Sequence, residues 1–300
     1  MTTEIDRQLP SEHEIVETSA APDQSTAVEA VARKSTSLLD APATYLLLSI
    51  NFLWFAVMVR SGSYIQLWHQ HQFLSIFTTN FSFETLQYFG GCGGFDVLIR
   101  GQWIRVLTAT FVHMNPLHLL VNMWCLWNLG LLGEPLLGRR GLFVVYLLTG
   151  MAGNLCSLAF SPGDLVVGAS GAVFGIAGIL IVLLSNKKLS LPWSELRSLR
   201  RSVVLFALLN LLIGIAPQFV LQMAPAKDLD HLANNLGPLT HIDNMAHLGG
   251  LVCGLLMGLP LFPRMLAGRR GYRARQRLTF AWTGFGMALF AYGIAKFRAK

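Results

Sequence analysis

Charge is scarce in this chain. Asp, Glu, Lys and Arg make up 13% of its 300 residues and hydrophobic residues make up 53%, whereas about a quarter of an average soluble domain is charged. The deficit excludes an ordinary soluble globule and indicates a polytopic membrane protein. Cysteine is also sparse. Cys92, Cys125, Cys156 and Cys253 are the four present, and three of them lie inside apolar runs, where a thiol acts as a small hydrophobe. Their spacing suggests neither a metal site nor a disulfide framework, so no metal and no cofactor is expected. The N-terminal segment lacks an apolar h-region, so no cleavable signal peptide is expected. Its acidic excess and few arginines argue against a mitochondrial transit peptide. Internal repeats and paired broken helices, the marks of many transporters, are missing too. Gly168-Ala169-Ser170-Gly171-Ala172 has no strand before it and fails the G-x-S-x-G elbow of soluble hydrolases.

What the chain does have is apolar runs of membrane-crossing length. Seven stretches, 43–59, 115–133, 141–160, 170–186, 202–219, 246–262 and 278–295, come close to the ~20 residues that cross ~30 Å of hydrocarbon. Continuous apolar character makes them helices, because a helix satisfies its own backbone polar groups in lipid. The expected fold class is therefore all-α, a polytopic membrane helix bundle. Residues 1–42 are polar, cannot bury enough apolar surface to fold alone, and are expected to be a disordered cytoplasmic tail. Residues 43–265 would form a six-helix core, and 266–300 a basic linker with a seventh transmembrane helix.

The net charge of +7 does not indicate nucleic-acid binding, because the basic residues are sorted by loop. Arg139, Arg140, Lys187, Lys188, Arg197, Arg200, Arg201, Arg264, Arg269, Arg270, Arg273, Arg275 and Arg277 fall in the loops after spans 2, 4 and 6. The opposite side carries Arg100, Arg105 and Lys227, with Arg60 at the edge of span 1. The positive-inside rule then puts the N-terminus in the cytoplasm. The tail with Lys296, Arg298 and Lys300 runs against it. The lack of targeting signals favours a bacterial plasma membrane.

In this topology Ser170 and His247 both stand in the first turn of a helix that runs inward from the outer face. His118 and Asn122 lie in the first two turns of a third such helix, so four polar groups converge at one depth. Polar side chains inside lipid are costly and mark function. A serine hydroxyl becomes a nucleophile when a neutral imidazole removes its proton, and the same imidazole can return that proton to a leaving amine. Gly171, Gly175 and Gly178 on one helix, and Gly250, Gly254 and Gly258 on the other, allow the close backbone approach this dyad requires. Asn122 and His118 offer donors for an oxyanion, together with the free backbone amide of Ser170 at a helix start. Taken alone, Asn122 and His118 read better as interhelical hydrogen-bonding glue; beside Ser170 and His247 the catalytic reading is stronger. Phe174, one turn below Ser170, is placed to stack on the His247 ring. Asp243, four residues before His247, either orients the imidazole or caps the helix.

These residues resemble the rhomboid family of intramembrane serine proteases. Gly168-Ala169-Ser170-Gly171 looks like the family's nucleophile motif. Ala246-His247-Leu248-Gly249-Gly250, continuing to Gly254, looks like its histidine motif, and His113-x4-His118-x3-Asn122 looks like its second-span motif. The resemblance covers about 100–265. It implies that Ser170 is the nucleophile, that His247 is the base, and that His118, Asn122 and the Ser170 amide bind the oxyanion. It also implies that Phe174 stacks under the histidine and that Glu134 is a structural acid at the inner end of span 2. The family usually has Trp-Arg adjacent before span 2, whereas Trp103-Ile104-Arg105 stands here. The implied substrates are transmembrane proteins cut near the outer end of a helix that unwinds easily, with span 5 and the polar 220–244 loop as the entry gate. A catalytically inert relative that binds and escorts membrane proteins is the alternative, and it would be expected to lack the serine or the histidine.

Overall fold

A computed structural model describes residues 40–60, 73–187, 189, 192–223, 243–265 and 268–298. The expected N-terminal tail, up to residue 39, and most of the expected gating loop, residues 224–242, lie outside the described residues.

Helices dominate the described residues: α1 (Pro42–Val59), α2 (Phe73–Thr78), α3 (Phe83–Tyr88), α4 (Arg105–Thr108), α5 (Pro116–Leu137), α6 (Arg139–Phe160), α7 (Ser170–Leu183), α8 (Trp193–Met223), α9 (Asn244–Leu261) and α10 (Gly268–Arg298). Extended pairing among them is limited to one antiparallel bridge, Cys92 with Val166, so the all-α expectation holds. Five helices are long and apolar enough to cross a membrane: α1, α6, α9, α10 and the Trp193–Ala216 part of α8. Helix α5 has the length, 22 residues, but carries His118, Asn122, Asn128 and Glu134.

Several boundaries differ from the apolar runs, and three of them bear on the reading. Helix α8 begins at Trp193 and α10 at Gly268, about ten residues before their apolar stretches. Arg and Glu are good helix formers outside lipid, so the segment read as a basic linker is the first part of α10. Helix α7 ends at Leu183 and has 14 residues, about 21 Å at 1.5 Å per residue. It falls short of the ~30 Å core.

Helix α7 is the centre of the bundle. Eleven of its fourteen residues are buried, and α5, α6, α8 and α9 pack around it. Its contact with α9 is backbone against backbone. A Cβ on Gly250 would strike the Gly171 carbonyl oxygen, one on Gly254 the Gly175 carbonyl oxygen, and one on Gly178 the Leu251 carbonyl oxygen. Helix α6 joins through Gly153, where a Cβ would strike the carbonyl oxygen of Ala246.

Helix α1 is tied to the bundle by a charge. The buried Glu134 carboxylate accepts hydrogen bonds from the Ala43 amide (2.9 Å), the Thr44 amide (2.8 Å) and the Thr44 hydroxyl (2.7 Å). The amides of a first helical turn lack intrahelical partners and carry the positive end of the dipole, so an acid from α5 caps α1 across some 90 positions of sequence. The structural role expected for Glu134 thus has a specific partner.

Within residues 73–115, ahead of α5, the chain folds on itself before it meets the core. The Arg105 guanidinium donates to the carbonyls of Gln87 and Gly91, and the Thr108 hydroxyl donates to the Gly90 carbonyl at 2.9 Å. The Asn154 side chain on α6 donates to the Val106 carbonyl at 2.8 Å. The shifted Trp103-Ile104-Arg105 order therefore still delivers the guanidinium to backbone carbonyls.

Replacing Gly254 by Val forces α7 and α9 apart. We expect a loss of roughly 3 kcal/mol, the upper end for an overpacked core, read as a lower thermal unfolding midpoint in detergent. Gly284→Ala, where an added Cβ meets nothing within 4 Å, should leave the midpoint unchanged or slightly raised. Equal midpoints for the two variants would show that the helix contact does not depend on glycine.

Candidate active site

Ser170 is the first residue of α7, and the turn before it is built to place it. Gly168 has φ +122°, a conformation L side chains rarely adopt, and a Cβ there would stand 2.7 Å from Cε1 and 3.0 Å from Nε2 of His118. Only glycine lets the His118 ring lie flat against the chain two residues before Ser170. The Gly168 amide donates to the Ala109 carbonyl at 2.9 Å, and the Ala169 amide donates to Nε2 of His113 at 3.4 Å.

His113 completes this turn. It is fully buried, and its Nδ1 faces the Phe111 carbonyl at 3.2 Å. Nδ1–H donating to Phe111 leaves Nε2 free to accept from Ala169, so the neutral tautomer satisfies both contacts. Burial lowers the pKa of His113 well below its usual value, the neighbouring His118 adds to that, and the Phe111 carbonyl opposes it. Sequence reading noted His113 inside a motif and gave it no role. Its partner is a backbone amide 56 residues away, which no local pattern reveals.

His118 and Asn122 stand where the spacing places them, one above the other at the start of α5. Asn115 caps that helix, its side chain accepting from the His118 amide at 2.7 Å, and Pro116 holds the first position. The Asn122 amide nitrogen donates to the His118 carbonyl at 2.9 Å. One N–H of that NH2 group is engaged and the other remains available.

His247 lies in the second turn of α9, 8% exposed. Its imidazole stacks on Phe174, ring centroids 4.4 Å apart and planes within 13°. Phe174 follows Ser170 by one helical turn, so it shares a face with the serine, and stacking brings the His247 ring to that face. Among the described residues the Ser170 hydroxyl makes no hydrogen bond to His247, and Nδ1 of His247 and Nδ1 of His118 are buried without a partner.

Asp243 does not orient the imidazole. One of its carboxylate oxygens accepts from the Ala246 amide at 2.9 Å and the other from the Ser157 hydroxyl, so it caps α9 and pins it to α6. Gly171, Gly250 and Gly254 lie at the α7–α9 contact, and Gly168 lies against His118. Among the described residues no cluster of His, Cys, Asp and Glu could hold a metal ion.

A half-exposed serine at a helix start, an imidazole on its face and a second polar helix beside the turn can support nucleophilic chemistry on a carbonyl. Residues 100–264 match the Rhomboid domain family model. This chain belongs to the rhomboid family. It is 30% identical over 222 residues to rhomboid protease GluP of Bacillus subtilis (strain 168), a match covering 72% of this chain and 35% of that protein. It is 28% identical over 204 residues to RHOMBOID-like protein 7 of Arabidopsis thaliana, covering 64% of this chain and 57% of the relative. Against rhomboid-like protease 2 of Toxoplasma gondii it is 29% identical over 178 residues, covering 59% and 53%. The matches thus span between about a third and somewhat over half of each relative. Rhomboid membership and the five membrane-length helices make the chain an integral, multi-pass membrane protein.

Gly168→Ala tests the turn directly. The added methyl needs a strained backbone and meets the His118 ring, so we expect a loss of about 1–3 kcal/mol in detergent unfolding. An unchanged midpoint would mean that the turn and His118 separate freely.

Proposed function

We propose that this rhomboid is an intramembrane serine endopeptidase that cuts transmembrane proteins near the outer end of a membrane helix. The observation that carries this reading is the His247 ring stacked on Phe174, on the helix face that begins with Ser170. His247 Nε2 removes the Ser170 proton as Oγ attacks the scissile carbonyl carbon. The negative charge that develops on the carbonyl oxygen is stabilised by the Ser170 amide, the free N–H of Asn122 and His118. When the C–N bond breaks, His247 returns its proton to the leaving amine. Water then attacks the acyl-serine, with His247 again as base, and the carboxylic product leaves. A carboxylate is not needed to hold the imidazole, because the aromatic face beneath it fixes the ring. Placement of the site toward the outer face, with a cytoplasmic N-terminus, rests on the positive-inside distribution.

Substrate reaches the serine beside α8, a helix that is largely exposed over its described residues. Its apolar residues Leu208, Leu209, Leu212 and Ile213 are exposed, suiting lipid. Its ties near the site are Phe206, whose ring lies 6.1 Å from that of Phe174, and the Gly214 carbonyl, which accepts from the Asn244 side chain at 3.0 Å. A substrate helix that displaces α8 would meet Ser170 with its backbone unwound, since a folded helix hides its carbonyls.

The purified chain in detergent should label with a fluorophosphonate probe. Ser170→Ala should abolish labelling, and His247→Ala should slow it at least ~100-fold, the usual contribution of a general base. Label that survives Ser170→Ala would put the nucleophile elsewhere, and an unlabelled, folded wild type would shift the reading to a binder or escort. Asn244→Ala loosens α8 and should raise the cleavage rate of a transmembrane substrate several-fold. An unchanged or slower rate would remove α8 from the entry path.

A further inference from the structure

A cavity of about 800 Å³ lies away from the serine, where the α5–α6 turn meets the first turns of α10. Arg139 and Arg140 line it from one side, and Arg269, Arg273 and Arg277 from the other. The last three are spaced four apart, on one face of α10. Both walls are held together by a buried contact, the Gln276 side chain donating to the Leu137 carbonyl at 2.8 Å.

This arrangement is electrostatically unfavourable when empty. Arg139 and Arg140 open α6, and Arg269 and Arg270 open α10. Neither helix has an acidic residue in its first turn. Cations at a helix N-terminus oppose the dipole instead of offsetting it, and like charges four apart on a helix repel. Among the described residues the sole ion pair is Arg100 with Asp96, so none of the five arginines has a carboxylate. Orientation in the membrane requires basic residues on this side, but it does not require arginines from positions 139 and 273 to converge on one cavity.

We propose that this cavity binds the headgroup of an anionic phospholipid. The phosphate would sit among the arginines and face two helix N-termini. The floor of the cavity is apolar, with Leu137, Val144, Met265 and Phe280, and offers an acyl chain a path along the bundle. That floor favours a lipid over a soluble phosphate, and a basic pocket between membrane helices is a known form of lipid headgroup site.

The test is native mass spectrometry of the full chain in a neutral detergent. Phosphatidylglycerol and phosphatidylcholine are supplied at equal ratios, and inorganic phosphate in a separate arm. Phosphatidylglycerol should be retained in strong preference. Arg273→Gln/Arg277→Gln should weaken its retention roughly thirtyfold for two charges lost, and Arg273→Lys/Arg277→Lys should keep most of it. The matched control Arg197→Gln/Arg201→Gln, outside the cavity, should bind as wild type. Arg140→Gln on the opposite wall should weaken retention several-fold and serves if the double variant does not fold. Equal losses in the two Gln pairs would reduce the effect to diffuse charge and overturn the site. Unchanged retention in Arg273→Gln/Arg277→Gln and in Arg140→Gln would do the same. Phosphate that competes with phosphatidylglycerol at comparable concentration would assign the cavity to a soluble anion instead.

Discussion

The contact of α7 with α9 through bare backbone is the constraint on which the rest depends. In lipid no hydrophobic force drives two helices together, because the surroundings are as apolar as the side chains. Association comes from packing, and packing is best where Cβ atoms are missing from both surfaces. Gly250 against the Gly171 carbonyl and Gly254 against the Gly175 carbonyl bring the helices close enough for His247 to lie flat on Phe174. One more methyl group at either glycine would lift the imidazole away from the serine face. The glycines therefore belong to the geometry of the site as much as the polar residues do.

In the proposed dyad the same packing makes a third polar member unnecessary. In a soluble triad a buried carboxylate holds the histidine in its tautomer and orientation. Here the carboxylate nearest in sequence, Asp243, is committed to the Ala246 amide and the Ser157 hydroxyl. An ionised acid left unpaired beside His247 would be expensive at membrane depth. Capping α9 and tying it to α6 gives that charge two donors, and leaves ring orientation to an apolar stack that costs nothing to bury.

Much of this was legible in the sequence, for definite reasons. Long apolar runs marked most of the helices because lipid imposes both length and composition. Ser170, His118, Asn122 and His247 stood out because polar residues are rare in such runs. What the runs could not report lies outside lipid or across long distances. Helices α8 and α10 start in charged segments, where Glu195, Arg197 and Arg273 hide the helix from an apolar count. The end of α7 at Leu183 lies just before the polar run Ser185-Asn186-Lys187-Lys188, three residues short of the expected boundary. His113 meets Ala169, and Glu134 meets Thr44, through contacts that only the folded chain creates.

The short α7 connects these threads. A helix of 14 residues reaches across only about two thirds of the hydrocarbon, so the chain next to it must lie in the membrane in non-helical form. Irregular backbone at that depth is tolerable only where protein satisfies its polar groups. The bridge of Cys92 with Val166, two hydrogen bonds of 2.9 Å, does this immediately before the serine, and the Gly168 and Ala169 amides find Ala109 and His113. Residues 73–115, secured by Arg105 on their own carbonyls, thus supply the partners that the chain before α7 needs. If Ser170 acts as proposed, a serine below the membrane surface has to be reachable by water as well as by a helix. In the proposed reading, a start of α7 below the membrane surface would leave that space open on the polar side, while the glycine contacts on its other faces close the rest of the bundle.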